Sequence, residues 1–328
     1  MRPEETDATA LWVAHTWAID AAYFTPYMSI TSAVSESGKS TLLSVLERLV
    51  QRPWKTGRVT PAVLARRIDG EQPTLLLDEV DAAFASSRNY GEMLRGILND
   101  GFARGGIYSI AVGQGYRDYS VFGPKAIAGI GKLPDTIASR SIPIRLRRRK
   151  AEEHVDALHP WELDELATPL CQQLEHWASD NVATLKRAIP TLPVSLSDRS
   201  RNVWTPLAAI GDAAGCDWPD RVNRAASKLA EHKQDRSDRD ETRVLTAVRE
   251  AFDETNTDRL FTLTIAQALV ATDVIAPEKA STEKVAGHAV KRALQPFEIS
   301  PPHKLRIGLR SGRGYTRSQF EEAWERYL

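Results

Sequence analysis

The segment Ala33-Val34-Ser35-Glu36-Ser37-Gly38-Lys39-Ser40-Thr41 has residue types and spacing suited to gripping phosphate. Such a grip needs backbone N–H groups turned inward around anionic oxygens. Gly38 permits close backbone approach, Lys39 offers a point charge to β- and γ-phosphates, and Ser40 offers a hydroxyl to Mg²⁺. A helix opening here points its positive end at the same phosphates. Ser35, Glu36, Ser37 and Thr41 complete the expected cradle. Ala33 stands where the motif usually has its first glycine, which removes some backbone freedom. The alternative is a polar turn capping a helix. An apolar strand before the segment, an amphipathic helix after it and the full spacing favour the phosphate loop.

A second signal is Thr74-Leu75-Leu76-Leu77-Asp78-Glu79-Val80-Asp81, an apolar run ending in carboxylates. Asp78 is expected to hold Mg²⁺ through water, and Glu79 to polarise an attacking water. Alone this is weak, because many strands end in an acid. One strand-helix unit after the loop, it reads as the Walker B partner of a Walker A loop. That extra unit is expected to place the Walker B strand beside the loop strand, as in additional-strand P-loop ATPases. An Asn-Lys-x-Asp guanine-reading motif is missing, so ATP with Mg²⁺ is expected rather than GTP.

A third signal is the run from Leu133 to Leu146, with Ser139-Arg140 before its last apolar stretch. Arg140 is expected to reach the γ-phosphate held by a neighbouring subunit. The competing reading is that Arg140 caps a helix C-terminus. Arg104 is the rival finger. Further on, Asp198-Arg199-Ser200-Arg201 opens a helix, and Arg199 or Arg201 is expected to contact phosphate in cis as a lid sensor. A surface ion pair is the plainer alternative.

Positioning these groups requires a layered fold. Helical spacing predicts a helix over 7–22 capped by Asp7, a strand at 27–31 and a helix at 40–50. A strand at 58–60, a helix from Pro61, a strand at 74–77 and a helix at 91–100 follow. Strands at 108–112, 126–130 and 142–146 complete the set. Alternating strands and helices imply an α/β fold with a parallel sheet. Residues 151–230 read as helical, with turns near 190–193 and 215–219. The charged tract 231–241 reads as a solvated helix end or a linker, and is expected to mark a domain boundary. After it come a helix, a short strand, two helices and a basic hairpin with Gly312 and Gly314 at its turn. The expected division is a P-loop ATPase core at 1–150, a helical lid at 151–235 and a winged-helix-like domain at 236–328.

Composition sets the outer limits. The chain has 328 residues, 42% hydrophobic and 26% charged, which excludes a wholly disordered protein. No apolar run is long enough for a membrane span, and a signal peptide is not visible. The two cysteines, Cys171 and Cys216, exclude a disulfide scaffold, fit a cytoplasmic location and are expected in the core. The seven histidines are scattered, with His154 and His159 off a shared helix face, so a structural metal is not expected. The eight tryptophans are expected mostly in the core. Net charge is zero, so nucleic-acid binding depends on local patches. Arginine outnumbers lysine 31 to 12. One patch is Arg140, Arg145, Arg147, Arg148, Arg149 and Lys150: a DNA-facing rim, a subunit interface or a solvated strand edge. The other is Lys304, Arg306, Arg310, Arg313 and Arg317, a basic wing suited to DNA phosphates or to protein contacts.

The stretches TPYMSITSAVSESGKSTLL, PTLLLDEVD, LRGILNDGFARGG and FGPKAIAGIGKLPDTIASRSIPIRLRRR together resemble one family. It is the uncharacterised ATPase domain of actinobacterial phages and integrated elements, described as phage primase–helicase or as a domain of unknown function. The likeness runs from about Ala8 to GYTRSQFEEAWERYL at the C-terminus. Ser139-Arg140 is similar to the Ser-Arg-Cys motif of clamp loaders, with Ser141 where Cys would stand. The resemblance implies an AAA+-like core, a helical lid and a replication-related role. Longer relatives carry an upstream primase domain, and primer synthesis is not expected of this sequence. The resulting expectation is an ATP-hydrolysing DNA motor, a helicase or origin-remodelling factor. It would form a homo-oligomeric ring, a hexamer first, on single-stranded or forked DNA, with phage or host replication proteins as partners. The alternatives are a nucleotide-switched helicase loader or DNA-binding regulator that does not translocate, and more weakly an anti-phage sensor ATPase.

Overall fold

A computed structural model describes residues 1–57, 59–86, 88–149, 153, 159–272, 274–297 and 299–328. Within these, the side chains of residues 82, 85, 86, 88, 160, 231–242 and 296 are left aside. Arg58, the first residue of the expected 58–60 strand, and Lys150 and His154, named above, lie outside the described residues. The described chain divides into two compact units, Met1–Glu231 and His232–Leu328.

The first unit is built on a five-stranded sheet. Its strands are β1 (Tyr27–Ser32), β2 (Pro53–Thr56), β3 (Thr74–Leu77), β6 (Lys125–Ile130) and β7 (Ser141–Leu146). Their order is β2-β3-β6-β1-β7, and every pairing is parallel. The unit is therefore a mixed α/β fold around a parallel central sheet. One expectation is corrected here. The strand ending in Asp78-Glu79 does not lie beside β1, because β6 is inserted between them. The earlier extra strand, β2, is instead the sheet edge beyond β3. It spans Pro53–Thr56 rather than 58–60.

Burial explains the strand compositions. All four residues of β3 are buried, as is every residue of β6 but the last. Central parallel strands covered on both faces need such unbroken apolar runs. The connecting helices are α2 (Lys39–Leu49), α3 (Pro61–Glu71), α4 (Val80–Ser86), α5 (Arg88–Asp100) and α6 (Asp135–Ala138). Between α5 and β6 a hairpin projects, formed by β4 (Ile107–Val112) and β5 (Gly115–Ser120).

The first helix, α1 (Pro3–Trp17), starts earlier than its hydrophobic spacing predicts. Pro3 fills a first-turn site, where its missing N–H costs nothing, and the Glu5 carboxylate accepts from the Arg2 backbone N–H at 2.8 Å. Glu5 is buried and also accepts from Arg145 N at 3.0 Å, which ties α1 to β7. Asp7 is thus not the cap; it lies inside α1 and pairs with Arg221. Helices α7 (Pro160–Leu185), α8 (Asp198–Ala214) and the start of α9 (Trp218–Thr255) share one continuous core with the sheet. The tract 231–241 is helical backbone within α9, not a non-helical linker, and the division between the two units falls at its start, between Glu231 and His232.

One further expectation fails. Cys171 is only half-buried, with its thiol donating to Arg48 O at 3.1 Å, and Cys216 is exposed in a turn. The tryptophans lie mostly in the cores, as expected: Trp12, Trp54, Trp204 and Trp324 are buried, Trp17, Trp177 and Trp218 pack against the first unit's core, and Trp161 is 61% exposed.

The second unit has its own core. After the end of α9 come β8 (Arg259–Phe261), α10 (Thr262–Ala271), α11 (Glu283–Leu294), β9 (His303–Ile307), β10 (Arg310–Thr316) and α12 (Glu321–Tyr327). The sheet order is β8-β10-β9, antiparallel. The β9–β10 turn falls at Gly308-Leu309, with Gly308 at φ 59°, not at Gly312 and Gly314. Those two glycines sit inside β10 for steric reasons. A Cβ on Gly314 would lie 2.1 Å from Leu260 O, and one on Gly312 would press on the Phe261 ring at 3.2 Å.

Candidate nucleotide site

The loop 33–38 leaves the carboxyl end of β1 and enters α2. Gly38 makes the turn at φ 86°, a left-handed conformation that a side chain would strain. Among the described residues, none of the backbone N–H groups from Ser35 to Thr41 donates to another protein group. Seven consecutive free N–H groups at a helix N-terminus make a strong anion cradle. Lys39 folds over it: its Nζ donates to Ser32 Oγ at 2.6 Å and to Val34 O at 3.4 Å. Ser37 is buried and its hydroxyl bonds Val34 O at 3.0 Å, which holds the loop's curvature. Glu36 turns outward at φ 56° and pairs with Arg148 at 3.0 Å. Ala33, Ser35, Ser40 and Thr41 are exposed on the same loop and first helical turn. The residues present therefore fit a polyphosphate.

The carboxylates arrive from β3. Leu77 pairs with Ile127 of β6, and Ile127 pairs with Ser29 of β1. Asp78 and Glu79 consequently emerge at the same end of the sheet as the loop, two strands away. Asp78 Oδ1 accepts from Glu79 N at 2.9 Å. Glu79 is exposed and sits at φ 53°. A left-handed non-glycine residue stores strain, and such strain clusters at functional positions.

The sequence reasoning left Asp81 and Lys132 without a role. Asp81 Oδ1 accepts from Ile130 N at 3.0 Å, which pins the end of β6 to α4. Gly129 is bare because a Cβ there would lie 2.8 Å from that carboxylate. A cleft of about 560 Å³ opens at this point, with Thr31, Asp81, Phe84, Arg95, Lys132 and Asp135 in its wall. Asp81 ends the acidic run already singled out, so a signal for it existed. Lys132 carried none, because the tertiary position of β6 brings it there. The hairpin was also half missed, since only β4 was expected. Its tip presents Val112 and a 76% exposed Tyr116, and Arg117 stacks over Tyr119 at 5.0 Å.

Arg140 stands apart from this group. Tyr27 N donates to Arg140 O, so Arg140 lies at the amino end of β1, opposite the loop. Six residues of β1 separate the two ends, about 20 Å of strand. Its Nη1 donates to Thr136 O at 2.7 Å, its Cζ lies 5.9 Å from the centre of the Phe102 ring, and its buried Nε finds no partner among the described residues. Burial, and behind it the nearby Arg199, holds its guanidinium below the usual arginine value. Arg201 donates to Pro193 O at 3.3 Å. Arg104 is occupied structurally, donating to Ala22 O and Ile19 O at 3.0 Å and to Asp20 O at 3.3 Å, with Phe122 beneath it.

In the remaining basic patch, Arg147, Arg148 and Arg149 are exposed beyond β7, which is an edge strand. Among the described residues no group of His, Cys, Asp and Glu is arranged to hold a metal ion. Nor is any described helix long and apolar enough to cross a membrane.

Fold and site together define a protein with a parallel α/β sheet and an anion-cradling loop at its carboxyl edge. Residues 145–327 match a family described as a protein of unknown function, DUF3631, and the chain belongs to that family. The matched span starts after the loop and carboxylates, so membership does not speak to them. A curated relative is an uncharacterised 28.9 kDa protein from the xis 5′ region of Saccharopolyspora erythraea. It is 33% identical over 163 residues, 49% of this chain and 60% of the relative. Among solved structures, the apo C-terminal region of NrS-1 aligns with TM-scores of 0.33 and 0.35 at 11% and 13% identity. Each alignment covers 94% of this chain, and 71% or 70% of the other. A JCV helicase aligns with a TM-score of 0.29 at 16% identity, over 71% of this chain and 62% of that one. Likeness at that level carries no argument about activity.

Proposed function

We propose that this chain hydrolyses ATP and couples the hydrolysis to work on DNA in phage or mobile-element replication, as a homo-oligomer. The observation that carries the reading is the row of N–H groups from Ser35 to Thr41 that find no protein acceptor, with Lys39 folded above them. In this reading the cradle and Lys39 bind the β- and γ-phosphates, and Glu79 orients the attacking water. Ser40 and Asp78 would hold a Mg²⁺ ion, which supplies positive charge to the phosphates when bound. Arg140, about one strand length from its own loop, suits a neighbour's nucleotide better than its own. Rings are the arrangement that would bring such a group to a neighbour's loop. The exposed tip around Tyr116 and Arg117 supports a nucleic-acid contact, since an aromatic face stacks on any base. The second unit's order of helix, strand, two helices and hairpin supports a winged-helix reading.

The test is ATP turnover by the wild type and by Glu79→Gln, each with and without single-stranded DNA, with mass measured in parallel. The expected result is turnover that rises with DNA, falls at least about 100-fold in the variant, and accompanies an ATP-dependent oligomer. Tight ATP binding with negligible turnover and no response to DNA would replace this reading with a nucleotide-switched module.

A further inference from the structure

The loop 33–38 carries a carboxylate, Glu36, in the middle of an anion cradle. The Glu36 N–H belongs to the row from Ser35 to Thr41 that finds no protein acceptor among the described residues. A negative side chain on the same residue repels the anion that this row attracts. Two features answer that conflict. Glu36 adopts the left-handed conformation, φ 56°, and its carboxylate accepts from Arg148 Nη2 at 3.0 Å. From within the loop, the Ser37 hydroxyl donates to Val34 O at 3.0 Å and reaches Ser35 O at 3.3 Å.

Sheet register brings Arg148 to the loop. β7 is the parallel neighbour of β1, and Ser32 lies opposite Leu146. The chain beyond both strands therefore leaves the same end of the sheet, from positions about 5 Å apart. Glu36 follows Ser32 and Arg148 follows Leu146 within a few residues. Both side chains of the pair are mostly exposed, 75% for Glu36 and 66% for Arg148. An ion pair in that setting adds almost nothing to fold stability. A non-glycine residue in a left-handed turn persists only where its surroundings hold it. The effect of the pair is thus local, on the loop and on the charge the loop presents.

We propose that Arg148 is a positioning residue of the nucleotide site: it neutralises the Glu36 carboxylate and holds it clear of the cradle, so that the loop meets a polyphosphate as a net positive surface. The inference rests on the ATP-binding reading above. With the pair formed, Lys39 and the positive end of α2 set the loop's charge. Without Arg148, the Glu36 carboxylate offsets Lys39 and competes with phosphate for the unpaired N–H groups. Arg148 touches no phosphate in this role, so it is needed only while residue 36 is an acid. That condition separates it from a direct phosphate ligand, whose loss no change at Glu36 repairs.

The experiment titrates the full chain, with Mg²⁺, against the non-hydrolysable ATP analogue AMP-PNP and against ADP, by calorimetry. The proteins are the wild type, Arg148→Gln, Glu36→Gln and the double variant. Arg148→Gln should bind AMP-PNP at least about tenfold more weakly at about 50 mM salt, and less than about threefold more weakly at about 500 mM. Its loss with ADP, which carries less charge, should be smaller. Glu36→Gln should bind at least as tightly as the wild type, and the double variant within about twofold of Glu36→Gln. Both positions are exposed, so melting curves should not move. Wild-type affinity in Arg148→Gln would overturn the inference and leave the nucleotide reading standing. A double variant as weak as Arg148→Gln would overturn it in favour of direct phosphate contact. A lowered melting temperature, or a loss equal for ADP and indifferent to salt, would make the pair structural. A wild type that binds neither nucleotide would overturn the nucleotide reading and this inference together.

Discussion

Lys125 is a lysine buried at the start of β6, and replacing it with methionine tests how burial sets its charge. It is 1% exposed. Its Nζ donates to Val121 O at 2.9 Å and Gly123 O at 2.8 Å, and lies 5.0 Å from the centre of the Tyr27 ring. Among the described residues no carboxylate pairs with it, and burial pushes it down to about 7. An unfolded lysine keeps its proton to about pH 10.4. Between those two values the unfolded chain binds one proton more than the folded chain. Stability therefore rises with pH across that window, by about 1.4 kcal/mol per pH unit. Below the folded value both states are charged, and the fold carries the whole cost of the buried cation. From about pH 7 to pH 9 the gain is roughly 2–3 kcal/mol. Lys125→Met keeps the chain length and removes the titration. It also strands two carbonyls, at a cost that does not change with pH. Urea unfolding of both proteins at matched ionic strength, at several pH values in that range, gives the difference. The wild type should gain the stated amount relative to Lys125→Met. Parallel curves would refute the reasoning and show that the carbonyl pair and the Tyr27 ring keep the ammonium charged.

Burial of His15 beside Thr25 Oγ1, at 3.0 Å, holds its imidazole down to about 3. The unfolded chain binds the extra proton between there and about pH 6.5, so stability falls as pH drops through that range. His15→Gln should melt with a shallower loss between pH 6 and pH 4, about 1–3 kcal/mol less than the wild type, in a thermal scan. Gly314→Ala would place a Cβ 2.1 Å from Leu260 O, so the second unit should lose about 1–3 kcal/mol, read by denaturant titration. Arg104→Ala removes the donor to three carbonyls and should cost about 2–3 kcal/mol in a melting assay. Arg140→Ala gives up one carbonyl bond and should lower turnover about 10³-fold while changing stability by less than about 1.5 kcal/mol. A reversed pattern would make Arg140 the structural residue.

The turn between β1 and α2 and the strand that ends before Asp78-Glu79 were legible because both depend on local chemistry. A left-handed turn needs Gly38, a helix N-terminus follows it at once, and a doubly covered strand needs Leu75 to Leu77. The same locality made β6 and β7 readable. The neighbour relations of strands were not readable. Inserting β6 between β1 and β3 depends on how the later chain folds back, which no local run of residues encodes. Asp81 and Lys132 escaped for that reason, since their shared cleft exists only once β6 is in place. In the second unit, the basic residues of the hairpin stood out as charge. Their turn was misplaced, because Gly312 and Gly314 are glycines for want of space against Phe261 and Leu260, not for a turn. Sequence alone determined the short-range chemistry of the loop and the strands. The tertiary structure decided which distant residues share a site, because that choice is made by packing between segments far apart in the chain.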